Sequence, residues 1–408
     1  MELRPILSTL LRHRTAAALI VMEIALSCAI LCNALFLVSE RVESMLLPSG
    51  IAEDALLSIQ MGGGVARLDA DARSREDLAL LGRLPGVASV TVTNQLPFSR
   101  TIGSNNAFSL SPDQAGPTID AAMYNAGERF LDTLGLHLVG GRDFLPEEYQ
   151  DGSTLFGLQD LGSVRSAVIV SAEAAARLFP QDDPIGRTIY MSQIPLTIVG
   201  VVDALARPSL VNADSRRSVI FPIRLNPDNG GVYVLRAADP GAHAALLASA
   251  TSALERADPG RPVLEAQSYR QLRADFFAED RDMAGLMLLV CGLLLLVTAL
   301  GIVGLASFWV QQRTKQIGIR RALGATRHQI LLYFQTENFL LTSMGIVLGM
   351  LLAFALNQLL MAHYALPRLP PGYLPVGALL LWGIGQLAVY WPARRAASIP
   401  PAVATRSI

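Results

Sequence analysis

The residues of this 408-residue chain that could do chemistry are few and mostly isolated. Its five histidines (His13, His137, His243, His328 and His363) are widely spread. They form no H-E-x-x-H helix motif and no Ser/His/Asp grouping, so spacing builds neither a zinc hydrolase nor a nucleophilic triad. Cys28 and Cys32 make a C-x3-C inside an apolar run with no further ligand near it. Small apolar residues on a helix packing face account for that pair better than metal or redox chemistry. Cys291 also sits in an apolar run, which leaves the long polar segment without a disulfide. The GGGV stretch at Gly62 to Val65 lacks the lysine and helix start of a phosphate loop and reads as a turn. No G-x-x-x-x-G-K-[ST] occurs, and Lys315 is the only lysine. Catalysis by this chain, a cofactor held in it and a metal site are therefore not expected. Basic residues do not alternate with aromatics in any patch, so nucleic acid is not expected either.

What remains is charge in unusual places. Glu23 and Glu337, the latter beside Asn338, fall within long apolar runs, where an ionisable group is costly and usually faces protein or a cavity. Glu23 is the deeper, and both a buried structural hydrogen bond and a role in transport or coupling stay open for it. Glu337 lies near the end of its run and could snorkel. The third feature is the string RTKQIGIRRALGATRHQILL from Arg313 to Leu332. Here Ile319, Ala322 and Leu323 share one helical face, Gly324 supplies a helix stop, and Thr326 with Gln329 forms a capping box. A short basic helix, a tight break and a new helix are predicted. The simplest competing reading is a basic anchor, which would need no particular order.

The elements that must position these residues are membrane spans. The chain is 51% hydrophobic and 16% charged with a mean hydropathy of +0.39, too apolar for a soluble protein of this length. Residues 15–39, 283–310, 333–361 and 373–391 are each long and apolar enough to cross the bilayer. The first is read as a retained anchor, since its apolar run exceeds a signal-peptide core and lacks a clear cleavage site. Residues 40–282 hold 31 of the 34 acidic and 21 of the 33 basic residues, a net −10. Basic clusters stand before span one, between spans two and three, and after span four, so both termini are expected inside and residues 40–282 outside. Residues 1–14 read as an interfacial helix, 311–332 as a cytoplasmic segment, 362–372 as a short outer turn and 392–408 as a cytoplasmic tail. Gly345 and Gly349 make a GxxxG on span three, and Gly301, Gly304 and Ser307 form a small-residue strip on span two.

In the outer region, apolar runs at 87–92, 167–170, 196–202, 219–221 and 232–235 read as strands. Residues 75–84, 172–179 and 242–257 read as helices. This is mixed α+β in two lobes, with about 124–217 inserted into a lobe built from the flanking pieces. Residues 99–120 and 147–163 read as exposed loops. Residues 267–282 carry no breaker and are expected to extend span two outward as a stalk.

The Arg313 string closely resembles R-T-R-E-I-G-I-R-R-A-L-G-A-T of MacB/FtsX-like ABC transporter permeases, departing chiefly at Lys315 and Gln316. Tyr124 to Phe144, Ser166 to Ile189 and Leu196 to Pro208 resemble the MacB-type periplasmic core domain, and Pro392 to Arg406 is similar to the family's closing segment. The resemblance covers essentially the whole chain. It implies an α-helical membrane protein of four spans with an extracytoplasmic α+β domain, a porter-like lobe carrying an inserted lobe, in the bacterial inner membrane. It also implies a permease that couples ATP hydrolysis, by a separate ATPase holding ATP and Mg, to movement of its periplasmic domain. The residues implied to touch that ATPase are Arg313, Lys315, Ile317, Gly318, Ile319, Arg320, Arg321, Leu323, Gly324 and Arg327. Implied partners are the ATPase, a second permease copy or paralogue, membrane lipid, and a periplasmic adaptor with an outer-membrane channel. Implied cargo is a peptide, antibiotic or similar molecule. Full-length MacB carries a fused ATPase, from which this sequence departs. Alternative readings are a regulatory module activating a periplasmic partner, a lipoprotein-handling permease, and a membrane-anchored receptor without an ATPase.

Overall fold

The computed structural model describes residues 14–62, 69–99, 104–114, 116–156, 166–209, 215–364 and 369–398. The expected interfacial helix before Arg14 and the tail beyond Ser398 lie outside the described residues, as do parts of GGGV and of the 99–120, 147–163 and 362–372 segments. Residues up to Met45 together with those from Asp280 onward form one compact unit, and Leu46–Glu279 form a second.

In chain order, helix α1 (Arg14–Leu46) is followed by β1 (Leu56–Met61), α2 (Ala70–Gly82) and β2 (Val87–Thr93). Next come β3 (Asn105–Phe108), β4 (Ile119–Asn125), α3 (Phe130–Leu134), β5 (Leu138–Gly141), β6 (Gln150–Asp151), α4 (Gly152–Phe156), β7 (Ser166–Ser171), α5 (Ala172–Leu178), β8 (Thr188–Met191), β9 (Ile194–Val202) and β10 (Ser218–Phe221). The chain continues through β11 (Ile223–Arg224), β12 (Val232–Ala237), α6 (His243–Ala257), β13 (Val263–Ser268) and α7 (Tyr269–Phe276). It closes with α8 (Ala278–Gln312), α9 (Thr314–Ala322), α10 (Arg327–Tyr364) and α11 (Tyr373–Ala397).

The outer unit is built on two sheets. Strands β13-β1-β12-β2 form an antiparallel sheet, with α6 burying Leu246, Ala250, Ala253 and Leu254 at helical spacing. A network of Asp77, Arg261 and Tyr233 holds α2 to this lobe: Arg261 lies 2.9 Å from the Asp77 carboxylate and Tyr233 donates to it at 2.8 Å. The second lobe is a mixed seven-stranded sheet ordered β3-β4-β10-β7-β9-β5, with β8 on the same edge of β9 as β5. It is inserted between β2 and β12, as the two-lobed reading requires, but it begins at β3 rather than near residue 124. The reason is that β3 is a half-exposed edge strand (NNAF) with almost no apolar signal. The expected loop at 147–163 likewise holds β6 and α4. Before span two the chain does not run as one uninterrupted stalk: α7 ends at Phe276, Phe277 leaves the helix, and α8 starts at Ala278.

Four helices of the first unit, α1, α8, α10 and α11, are long and apolar enough to cross a membrane. The 33 residues of α1 span about 50 Å, well beyond the hydrocarbon thickness. Helix α1 is the most enclosed of the four. The helix that carries span three starts at Arg327, ahead of residue 333, and span four's helix runs on to Ala397. The GxxxG of span three lies against α1: a Cβ at Gly345 would stand 2.7 Å from the Ile24 side chain, and one at Gly349 would stand 2.5 Å from Cys28 Cβ. Ser27 and Thr298 share a 2.8 Å hydrogen bond between α1 and α8, and Asn33 donates to the Ala353 carbonyl of α10 at 3.1 Å. Arg41 of α1 pairs with Asp280 of α8. Cys28, Cys32 and Cys291 are buried free thiols in this packing, and no metal-ligating cluster occurs among the described residues.

Candidate functional site

The site grows from the ordered string at the basic end of the bundle. Helix α8 ends at Gln312, Arg313 takes a non-helical conformation, and α9 begins at Thr314. After Ala322 the helix stops, as the sequence predicts. Gly324 adopts φ +98°, a left-handed conformation that glycine takes without penalty, and the Ala325 N–H closes onto the Arg320 carbonyl at 3.0 Å. The capping box is also formed. The Thr326 N–H donates to the Gln329 side chain at 2.9 Å and the Gln329 N–H to the Thr326 hydroxyl at 3.2 Å, which starts α10.

One face of α9 is fixed in the bundle. Arg313 directs a guanidinium nitrogen at both Glu337 carboxylate oxygens, at 2.9 and 3.1 Å, and its guanidinium lies 5.4 Å from the Trp309 ring centre. Glu337 is 1% exposed and Arg313 8%. Ile317 is buried in a cluster with Val310, Ile330, Phe334, Ala393 and Ala396. Arg321 donates to the Ala397 carbonyl at 2.8 Å, tying α9 to the end of α11, and Asn338 donates to the Gly385 carbonyl at 2.9 Å. The opposite face is open. Ile319 is 55% exposed and Leu323 83%, and exposed Ala322 completes a ridge flanked by exposed Lys315 and Arg327.

The structure thus divides the ten residues singled out in the string. Lys315, Ile319, Arg320, Leu323 and Arg327 are exposed, and Gly324 forms the turn beside them. Arg313, Ile317 and Gly318 are buried, and Arg321 is part-buried against α11. Arg313, Ile317 and Gly318 thus pack chiefly against this chain, while the exposed five are the ones that offer surface on the outer side of α9. Glu337 does not snorkel; it is enclosed and paired. Its partner was missed in the sequence reading, although Glu337 is the sole acid after Asp282 and Arg313 the first base. Glu23 stands apart from this group. Its carboxylate lies against Gly301 of α8, where an added Cβ would stand 2.7 Å from an oxygen, and it has no hydrogen-bond partner among the described residues. Gly304 faces open space, so the span-two strip is used at Gly301 and not at Gly304.

With the geometry in view, comparison with known proteins gives a consistent result. Residues 19–254 match the MacB-like periplasmic core domain and residues 288–401 the FtsX-like permease C-terminal region. The uncharacterized ABC transporter permease YvrN of Bacillus subtilis is 28% identical, over 70% of this chain and 69% of that protein. The macrolide export ATP-binding/permease protein MacB of Agrobacterium fabrum is 26% identical over 75% of this chain. The match spans 46% of that protein, so the chain covers about half the length of this relative. Among solved structures, the periplasmic region of MacB from Actinobacillus actinomycetemcomitans aligns with a TM-score of 0.34 and 17% identity, over 57% of this chain and 97% of that one. The core-domain match takes in more than half of the sequence and the permease match takes in α9 and both helices that hold it: the chain belongs to the MacB/FtsX-type family of ABC transporter permeases.

Proposed function

We propose that this chain is the permease subunit of a transporter in which a separate ATPase, holding ATP and Mg, acts on α9, and that the motion passes through α1 and α8 to the outer domain. The observation that carries the reading is the two-faced state of α9: an exposed Ile319–Ala322–Leu323 ridge on a helix whose other face is held by a buried ion pair and an apolar cluster. A partner seated on such a ridge would push a fixed element, and the push would reach the bundle instead of being absorbed by a loose loop. In this reading the basic end of the bundle and both termini are cytoplasmic, the chain resides in the bacterial inner membrane, and residues 46–279 face the periplasm. Two permease copies or paralogues pair, and an adaptor with an outer-membrane channel extends the path. The cargo class is a peptide, an antibiotic or a similar molecule, in line with the macrolide export named for MacB.

The test is co-purification of the tagged chain with its ATPase, with ATP hydrolysis as the readout. Leu323→Asp should weaken association more than tenfold, because it removes a Leu contact of about 2 kcal/mol and adds a charge to be desolvated. The variant's own thermal unfolding should be unchanged, since Leu323 is 83% exposed. Undiminished ATPase association in Leu323→Asp would remove α9 as the docking element.

A further inference from the structure

The other side of α9 encloses a cavity of about 480 Å³ against the first turns of α10, and nothing above gives it an occupant. Arg313, Gln316, Ile317 and Arg320 contribute one wall at the spacing of a single helical face, with Tyr333 and Phe334 opposite. This face is distinct from the Ile319–Leu323 ridge. No acidic residue lines the cavity.

Two guanidiniums there have donors left without an acceptor among the described residues. Arg313 spends Nη1 on Glu337, while its Nη2 is buried without a hydrogen-bond partner among the described residues. Arg320 stacks 5.0 Å from the Tyr333 ring centre, and no ion pair joins it to a carboxylate among the described residues. A buried charged donor is expensive to leave unmatched. The chain has little of its own to offer, because Glu337 is the only acid after Asp282 and it is already engaged. Besides the neutral amides of Gln316 and Gln329, the rest of the cavity is largely apolar: Ile317, Ile330 and Phe334 are buried, Leu332 lines it while half turned outward, and farther along the same helix Phe339 faces outward, as lipid-facing side chains do. Two cationic forks at the rim of an apolar wall, at the edge of a membrane bundle, match a phosphodiester with an acyl chain attached.

We propose that this cavity is a binding site for an anionic phospholipid, whose phosphate is held by Arg313 Nη2 and Arg320 and whose acyl chain follows the Ile317, Ile330 and Phe334 wall. The inference needs only the membrane placement of the bundle and is independent of ATPase docking. The lipid would act as a wedge that fixes α9 against α10.

The test uses the full chain in neutral detergent without ATPase, titrated with short-chain phosphatidylglycerol, short-chain phosphatidylcholine and inorganic phosphate, with binding read by native mass spectrometry and by tryptophan fluorescence, to which Trp309 beside Arg313 contributes. Phosphatidylglycerol should bind at least tenfold tighter than either of the others. Arg320→Gln should weaken phosphatidylglycerol about tenfold, the loss of one charge-assisted contact, while Leu323→Asp on the opposite face should leave it unchanged. Equal binding of phosphatidylcholine, or of inorganic phosphate, would overturn the lipid assignment. So would phosphatidylglycerol binding that Arg320→Gln does not alter. Absence of lipid binding together with protection of Arg320 from a guanidinium-directed reagent on adding the ATPase would assign the cavity to the protein partner and overturn the proposal as well. Because Arg320 is exposed and belongs to no buried pair, its variant should fold, and an unchanged unfolding profile in detergent checks this.

Discussion

Changing Glu337 to Gln should be among the most damaging single substitutions in the bundle. The side chain keeps its shape and one acceptor, but the Arg313 guanidinium loses its one counter-charge among the described residues, in a site where Glu337 is 1% exposed. Removing one member of a buried pair costs about 3 kcal/mol or more, roughly a 100-fold shift in the folding equilibrium. Arginine cannot escape by losing its proton, whereas a carboxyl left alone in an apolar site can neutralise. Arg313→Met should therefore be the milder single change. The double variant, Arg313→Met with Glu337→Leu, replaces the pair by apolar side chains of similar volume, and it should be no worse than about 1 kcal/mol below wild type. The assay is reversible unfolding of the purified chain in mixed detergent micelles, run as a double-mutant cycle whose single variants are Arg313→Met and Glu337→Leu. A coupling energy of at least about 2 kcal/mol is expected. If the double variant is as unstable as the two single changes added together, the pair is not the staple of this joint. The double variant also separates a static staple from a moving part: a staple predicts that ATPase coupling returns with stability.

Two further outcomes follow from the packing and the charges. Gly349→Ala should destabilise the bundle by about 1–3 kcal/mol, because its Cβ would meet Cys28 Cβ at 2.5 Å and the Ala25 carbonyl oxygen at 2.7 Å; Gly304→Ala, with nothing within 4 Å, should be neutral in the same micelle unfolding assay. In the outer domain, Arg142 holds the Glu148 carboxyl below its ordinary 4.5, chiefly through a hydrogen bond from its guanidinium. A depressed folded value means that this contribution is present above the unfolded value and lost as pH falls through the folded one. Asp143 beside it is raised by burial and acts in the opposite sense, its protonation at low pH favouring the folded state. Glu148→Gln should thus flatten the acid limb of stability, read by near-ultraviolet circular dichroism; an unchanged limb would show that the Arg142 pairing adds nothing.

Local signals in the sequence carried the membrane unit well. Gly324 and the Thr326–Gln329 box fix the turn after α9 with hydrogen bonds inside a few residues, so reading them requires no knowledge of the fold. Hydrophobic run length located all four spans but blurred their ends, since a helix stops at a cap and not where its apolar run stops: α10 begins at Arg327 because of Thr326. The GxxxG of span three was visible, but the residues it meets on α1 were not. The Arg313–Glu337 pair illustrates the harder case. Its members stand 24 residues apart, one at the break between α8 and α9 and one on α10, and only the way these helices fold back on one another brings them within 3 Å. In the outer domain β3 escaped notice because an edge strand that is half exposed has no need of an apolar pattern. Burial misled in the other direction for Ile317 and Ile319, two identical residues in the same string. One is 5% exposed and the other 55%, and only the helical phase set by the break at Arg313 decides which is which.

That phase explains why the order of the string matters more than its charge. A basic anchor would hold with the same residues in any arrangement. Here the face bearing Arg313, Ile317 and Arg320 is turned toward α10, while the ridge of Ile319, Ala322 and Leu323 is left apolar and uncovered. Shifting the sequence by one position would rotate α9 by about 100°, placing Lys315 and Ile319 off their present faces and separating Arg313 from Glu337. A segment that needed only to be positive would have no reason to keep a buried ion pair at one end, a left-handed glycine at the other and an uncovered leucine between them. The proposed coupling role, in which the segment receives a partner on one side and transmits a push on the other, makes use of all three.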